Sequence, residues 1–471
     1  MRSNLFNLAN RRRFLAGGGL GLGSLALGAL LGEASEASRL HHPPKAKRVI
    51  FLFQSGGPSQ LDLFDPKPGL RKSQGEELPD SIRMGQRITT MTSIQDKLPV
   101  APSVFSFQRF GQAGLELSQL LPHTAGVADK LCLVRSVHTN AINHEPGVTF
   151  FQTGHEFPGR PCMGSWVHYG LGTLNQDLPT FVVLTSNGAY KTSIPISSHL
   201  WSSAFLPSSY QGVALRPSSD PILYLSDPGG ASSAENRGLI DTVSQLNQIR
   251  LRKTGDPEIA TRIRQYEMAS RLQTSVPDLA NLSDEPDSTY QLYGEDARQP
   301  GTFAANCLMA RRLVERDVRF VQLYHTGWDH HQDVNDSLRT LCGETDKAAA
   351  ALVRDLKQRD LLKDTLVIWG GEFGRTTYSQ GDLGGRRYGR DHHPRCFSIW
   401  MAGGGVKAGT VYGRTDDYCY NVVENPVSVH DIQATILHLL GIDHERLVFK
   451  FQGRRYRLTD VHGKLVRGIV A

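Results

Sequence analysis

A chain of 471 residues with 39% hydrophobic and 21% charged side chains has an ordinary globular composition, long enough for one large α/β domain with insertions. Its formal charge of +6 includes Arg2 and Arg11 to Arg13, and elsewhere Lys and Arg are scattered without an aromatic-interleaved basic stripe, which argues against nucleic acid as a partner. No segment beyond the N-terminal one is apolar enough over the roughly 20 residues needed to span a bilayer.

The N-terminus, Asn10-Arg11-Arg12-Arg13-Phe14-Leu15, runs into a mildly apolar Gly/Ala/Leu segment from Ala16 to Leu31. Paired arginines ahead of such a segment form a twin-arginine export signal, and its many glycines disfavour a stable spanning helix. Cleavage near Ser35-Glu36-Ala37 assigns residues 1–37 to the signal, and the alternative is an uncleaved anchor. The mature chain is then periplasmic or extracellular, with no stable membrane span. Six cysteines remain, without a C-x-x-C pair, so neither a zinc ribbon nor a thioredoxin-type site is indicated. An oxidising compartment permits a bridge, but their spacing selects none.

Residues 38–47 form a polar, proline-containing linker, and Arg48 to Phe53 is the first strand. Gln54-Ser-Gly-Gly-Pro-Ser59 breaks it. Gly56 and Gly57 there would let backbone approach an anion, with Ser59 beside it, or would simply make a turn. Asp62 and Asp65 follow, and residues 66–113 are expected to wrap the surface. Leu115 to Ala128 has helical spacing, and Lys130 to Val137 is the next strand. After it come His138, Thr139, His144, Glu145 and, beyond Thr153-Gly154, His155, a polar cluster at a strand-to-helix junction. Cys162 to Leu171 reads as helix and Thr180 to Thr185 as strand. Residues 186–300 change character, with Ser/Pro/Gly-rich segments and one amphipathic helix about Leu239 to Leu272, and are assigned to an insertion or cap.

Regular α/β order returns with a helix from Thr302 to Glu315 and a strand from Val318 to Tyr324. At that strand's carboxyl end the nine residues from His325 to Asp333 hold five potential metal ligands, among them Asp329 and His331. Imidazole with carboxylate suits zinc, iron or manganese. A helix from Glu344 to Arg359 leads to Thr365 to Trp369, a continuous apolar run suited to a strand buried on both faces. Glu372 and Arg375 follow it, then a Gly/Arg-rich loop, then Arg390-Asp391-His392-His393, then a second buried strand from Phe397 to Met401. In open α/β sheets, functional groups gather at such carboxyl ends, so the glutamate and the two histidines could converge on one metal. A helix from Val429 to Leu440 and a hairpin from Leu447 to Leu458 close the chain.

The segments GGPSQLDLFDPKP, GWDHHQ, GGEFGRT, GRDHHP and AGGGVKAG resemble a secreted bacterial family known as domain of unknown function 1501. The order of features, with DTLVIWGGE and the late helix PVSVHDIQATILHLLG, is similar to the alkaline phosphatase and sulfatase superfamily. The resemblance spans about residues 48 to 442, with 186–300 contributing least. It implies a three-layer α/β/α sandwich with a mostly parallel central sheet and a helical or irregular insertion, residues 48–471 forming one such domain.

The resemblance also implies one or two divalent metals (zinc, calcium or manganese) held by Glu372, His393 or its neighbour His392, Asp329 and His331. The first strand lacks the superfamily's aspartate, ending in Gln54-Ser55, so Asp62 is the substitute candidate. The formylglycine motif is absent: its place falls on His144, a metal ligand or a nucleophile, with Thr139 or Ser136 as hydroxyl alternatives and Cys162 out of register. Arg375 or Arg390 would stabilise an anionic transition state. The expected function is a secreted metal-dependent hydrolase of phosphate or sulfate esters, acting on an anionic small molecule or polysaccharide. The alternative is a non-catalytic binding or assembly protein on a degenerate hydrolase scaffold. An oxidoreductase has no support from cofactor motifs.

Overall fold

Five apolar runs (Arg48–Gln54, Leu131–His138, Phe320–His325, Thr365–Gly370 and Phe397–Ala402) form adjacent strands at the heart of one nine-stranded sheet. The computed structural model describes residues 40–186, 188–189, 196–216, 233–384 and 387–471. The export segment read at 1–37 lies outside them. Residues His42–Ala471 form one unit. Among the described residues, no helix is long and apolar enough to cross a membrane.

The sheet order, given by strand, is Thr410–Tyr412, Leu131–His138, Phe397–Ala402, Thr365–Gly370, Arg48–Gln54, Phe320–His325, Phe181–Ser186 and Val213–Leu215, with Val427–Ser428 also on Leu131–His138. Phe397–Ala402 runs antiparallel to both neighbours, and every other pairing is parallel. Strands buried on both faces need apolar side chains in both directions, which is why these runs lack polar alternation. From the first strand, Ile50 and Leu52 enter a core with Leu308, Leu313, Leu338 and Leu352 of the helices Phe303–Glu315 and Val334–Gln358. Phe51 and Phe53 point the other way and meet Phe151 of helix His144–Thr153 edge-on, at 5.4 and 5.7 Å. The result is a mixed, mostly parallel sheet between two helical layers.

Several expectations need correction. Leu115 to Ser118 is a strand paired with Phe107–Phe110, and only Pro122–Ala125 is helical. The alternation of buried Leu115 and Leu117 about half-buried Glu116 is a period of two, the strand signal. The single helix at 239–272 is two helices, Ser233–Thr254 and Pro257–Ala280, separated at Gly255, whose φ of 68° cannot continue a helix. The helix expected from Glu344 begins at Val334. The region 186–300 contributes Val213–Leu215 to the central sheet. The end of the linker is docked, with Lys45 and Ala46 N–H groups donating to Leu439 O at 2.8 Å each.

Parallel register sets the location of everything that follows. Gln54 lies opposite His325, and Phe53 opposite Gly370, so the loops after three central strands leave the same edge. The Gly/Arg-rich stretch expected as a loop is a hairpin, Gly374–Gln380 with Gly389–His393, emerging there too.

Candidate metal centre

Four side chains from three separate segments meet at that edge: His144, Asp329, His331 and His392, each offering one ligand atom, all within 4.8 Å of one another. His144 is the first residue of its helix, reached from the carboxyl end of Leu131–His138. Asp329 and His331 lie in the loop after Phe320–His325, and His392 lies on the hairpin strand Gly389–His393. Asp329 Oδ1 is 3.0 Å from His144 Nε2, 2.9 Å from His331 Nε2 and 3.4 Å from His392 Nε2. The Nε2 atoms of His331 and His392 are 3.0 Å apart.

Two glycines permit the approach. Gly56 adopts φ 123°, and a Cβ there would fall 2.5 Å from Asp329 N. Gly389 would place a Cβ 2.0 Å from the His331 carbonyl carbon. Any larger residue would push the loops apart.

The other ring nitrogens fix the tautomers. His392 Nδ1 lies 2.7 Å from Ile142 O, which can only accept, so Nδ1 carries the proton and Nε2 presents a lone pair. His144 Nδ1 donates in the same way to Glu372 Oε1 at 2.7 Å, and His331 Nδ1 to Gln380 Oε1 at 2.5 Å. Three Nε2 lone pairs and a carboxylate oxygen therefore face one another. His144 Nε2 is buried without a hydrogen bond, 3.0 Å from Asp329 Oδ1. Such a set of acceptors is repulsive until a cation or a proton sits among them. Four ligands at about 2.0–2.2 Å in a tetrahedron would be about 3.3–3.6 Å apart, so the pairs at 2.9–3.0 Å would open by a few tenths of an ångström and the widest separations, up to 4.8 Å, would close. Outer acceptors on each imidazole are the usual support of a metal-bound histidine.

The electrostatics agree with an ionised aspartate and a neutral His392, and give His144 a raised hold on a proton. Burial would raise the Asp329 carboxyl, but the three imidazoles and the Arg375 guanidinium outweigh it and hold it well below the usual carboxylate range. Burial lowers His392 to about 4, against the pull of Asp329. Burial also pulls His144 down, but Asp329 and Glu372 more than offset it and raise its affinity for a proton. The side chains of His331, Asp329 and His144 are 21%, 18% and 14% exposed, which leaves one side of the cluster open to solvent.

The remaining sequence candidates lie elsewhere. Glu372 sits behind the cluster rather than in it, fully buried, accepting from Gly56 N–H at 2.9 and 3.1 Å as well as from His144. Each nitrogen of Arg375 is engaged by the chain's own oxygens. Its Nε donates to Gly57 O at 2.9 Å, one terminal nitrogen to Arg390 O at 3.0 Å, and the other to Gly56 O, to Trp328 O at 3.3 Å and to Asp329 Oδ1 at 2.7 Å. It is a buried pin joining the 56–57 turn, the 328–329 loop and the hairpin.

Arg390 is likewise consumed, by Asp62 at 2.7 Å and Thr376 O at 3.0 Å, both ionic side chains being fully buried. Asp62 also accepts from Ser59 Oγ at 2.6 Å, so Ser59, Asp62 and Arg390 form a separate internal unit. His393, next to His392 on an extended strand, points to the opposite face, with Nε2 2.7 Å from Tyr420 O. Thr139 Oγ1 accepts from Ala141 N–H, Ser136 Oγ donates to Asn425 O, and Cys162 Sγ lies against Ser165. Gln380 and the Ile142 carbonyl, both orienting groups, were not foreseen. A backbone carbonyl leaves no mark in a sequence, and Gln380 joins the cluster only through the hairpin.

Comparison with known proteins gives the following. No curated protein matches the chain. Among solved structures, it is similar to the PsFucS1 sulfatase from Pseudoalteromonas sp., at 11% identity and a TM-score of 0.35, covering 87% of this chain and 71% of that one. It is similar to the lipoteichoic acid synthase LtaP from Listeria monocytogenes, at 8% identity and a TM-score of 0.35, covering 89% and 78%. It is also similar to the alkaline phosphatase from the Antarctic bacterium TAB5, at 12% identity and a TM-score of 0.33, covering 84% and 98%. The GGPSQLDLF, GWDHHQ, GGEFGRT and GRDHHP segments that build this edge of the sheet lie within residues 46–470, which match a single family over that whole span, and the chain belongs to it: protein of unknown function (DUF1501).

Proposed function

We propose that the chain is a metal-dependent hydrolase whose ion is held by Nε2 of His144, His331 and His392 and by a carboxylate oxygen of Asp329. The observation that carries this reading is the tautomer lock: all three imidazoles spend Nδ1–H on an oxygen acceptor and turn their lone pairs to one point. Three imidazoles with one carboxylate suit zinc, iron or manganese, and not calcium, which takes an all-oxygen shell. When bound, a divalent ion supplies Lewis acidity toward an ester oxygen and acidifies water. Asp329, ionised, neutralises part of that charge, and Arg375 holds its carboxylate in place. Glu372 keeps His144 in the tautomer the centre requires. Because Thr139 is turned to its own backbone, the attacking group in this reading is water.

The order of sequence motifs supports phosphate or sulfate esters as the substrate class, an anionic small molecule or a polysaccharide. The twin-arginine segment at 1–37 supports export to the periplasm or beyond, with residues 48–471 as the working domain and 186–300 as an elaboration of it.

A second reading has its own observation. Four protein ligands complete a tetrahedron, the mark of a structural rather than a catalytic site. In that case the metal shapes a non-catalytic binding protein. The test takes natively folded protein, assays it by metal analysis and against a panel of aryl phosphates and sulfates, and repeats both with His331→Ala. Hydrolysis falling at least about 10²-fold together with metal loss supports the hydrolase. Bound metal with no turnover across the panel supports the second reading, and no metal at all overturns both.

A further inference from the structure

We propose that Cys396 and Cys419 are a disulfide-forming pair that clamps the hairpin strand carrying His392 to the loop at 416–421. Cys396 lies immediately before strand Phe397–Ala402, and Cys419 in the turn between Arg414–Thr415 and Val422–Glu424. Both are fully buried, in the small core of Leu61, Leu98, Val100, Tyr378 and Tyr420.

The two thiols lie close enough to influence each other's ionisation. Cys396 Sγ also donates to Cys419 O at 3.2 Å and receives a long contact from Gln60 Nε2 at 3.9 Å. Cys419 Sγ donates to Asp65 Oδ2 at 3.2 Å. Cys419 itself sits at φ 54°, a left-handed conformation that a residue with a side chain rarely adopts. Next to them, His393 Nε2 is 2.7 Å from Tyr420 O, so the same loop already holds the residue beside His392. A covalent link four residues beyond His392 would fix that contact. The pair is not a second metal site, because among the described residues only the His144 cluster brings three ligand atoms together.

The reaction is thiol–disulfide exchange with an external disulfide oxidant, here oxidised glutathione. The Cys396 thiolate attacks one glutathione sulfur, forming a mixed disulfide and expelling one glutathione thiolate. Cys419, deprotonated to solvent, then attacks Cys396 Sγ and expels the second. Two protons and two electrons leave the pair, and the oxidant's one disulfide becomes two thiols. Cys396 is the better first nucleophile: burial raises its thiol, but contact with Cys419 and His393 outweighs that and brings it to about 7, whereas burial and the same contact hold Cys419 well above the usual range. Because both sulfurs are buried, the exchange takes place as the segment folds or opens locally.

The test refolds the full chain from denaturant in oxidised glutathione, and in parallel in reductant, then denatures and alkylates each sample. Of six thiols, the reduced sample should alkylate six and the oxidised one four, with one cross-linked peptide pair joining Cys396 to Cys419. Cys132, Cys162, Cys307 and Cys342 are the internal controls. Cys396→Ser and Cys419→Ser should each abolish that cross-link. Six alkylations in both samples, a cross-link between another pair, or a metal retained by these two thiols would overturn the proposal.

Discussion

Replacing Glu372 with Gln isolates the support of the cluster from the cluster itself. The carboxylate is fully buried and accepts three contacts, from His144 Nδ1–H at 2.7 Å and from Gly56 N–H at 2.9 and 3.1 Å. Gln is nearly the same size, but one of its two terminal atoms is a donor. With its carbonyl oxygen in the place of Oε1, Gln can still accept from both donors, but its NH2 then faces the Gly56 N–H that Oε2 accepted at 3.1 Å, donor against donor, and the charge assistance to His144 is lost. Removing such an outer partner typically lowers metal affinity 10- to 100-fold, or about 1.4–2.7 kcal/mol. Competition of the purified chain with a zinc-chelating dye measures this directly, comparing Kd for wild type and Glu372→Gln under one buffer. A Kd within twofold of wild type would refute the reasoning, because His144 would then not depend on its carboxylate partner.

Three further outcomes are expected. Arg375→Met removes every donor of a buried guanidinium and takes one partner from the Asp329 carboxylate and from each of four carbonyls, costing about 3–5 kcal/mol of unfolding free energy in a denaturant titration. A loss under 1 kcal/mol would mean the loops do not need the pin. His392→Ala should abolish tight metal binding while His393→Ala leaves the metal Kd unchanged, because only the first ring reaches the cluster; equal losses would contradict the strand geometry.

Metal affinity should also fall on acidification. Bound imidazoles must be neutral, and His144, its proton affinity raised by Asp329 and Glu372 over the opposing effect of burial, protonates first and above the ordinary value of 6.5. Below that point the apparent affinity drops about tenfold per pH unit for each displaced proton. His392, lowered to about 4 chiefly by burial, adds nothing until near that pH. A Kd that is flat between about pH 5.5 and 6.5 would be inconsistent with this.

The fold was legible where burial is two-sided. Leu366–Trp369 and Val49–Phe53 are apolar throughout because both faces are covered, and a continuous run that stops at a turn reads directly. The hairpin Gly374–Gln380 with Gly389–His393 was not legible, since its buried side chains are polar or charged. Arg375 and Arg390 look like solvated loop residues until their partners arrive from about 300 positions away, as the Arg390–Asp62 pair does.

For the cluster, the concentration of histidines and acids marked the right loops, but not the atoms. Whether His392 or His393 faces inward depends on which face of an extended strand meets the 329–331 loop, and a shift of one residue reverses it. Asp62 was an attractive substitute ligand by position alone, and its carboxylate is already spent on Arg390 and Ser59.

The central claim is that His144, Asp329, His331 and His392 hold one divalent ion. Elemental analysis and X-ray absorption on natively folded full-length protein test it most directly. The account predicts about one equivalent of metal with three imidazole nitrogens and an oxygen at about 2.0–2.2 Å, falling to background in His331→Ala/His392→Ala. A natively folded chain that carries no metal and takes up none, or a double variant that keeps its full equivalent, would contradict it.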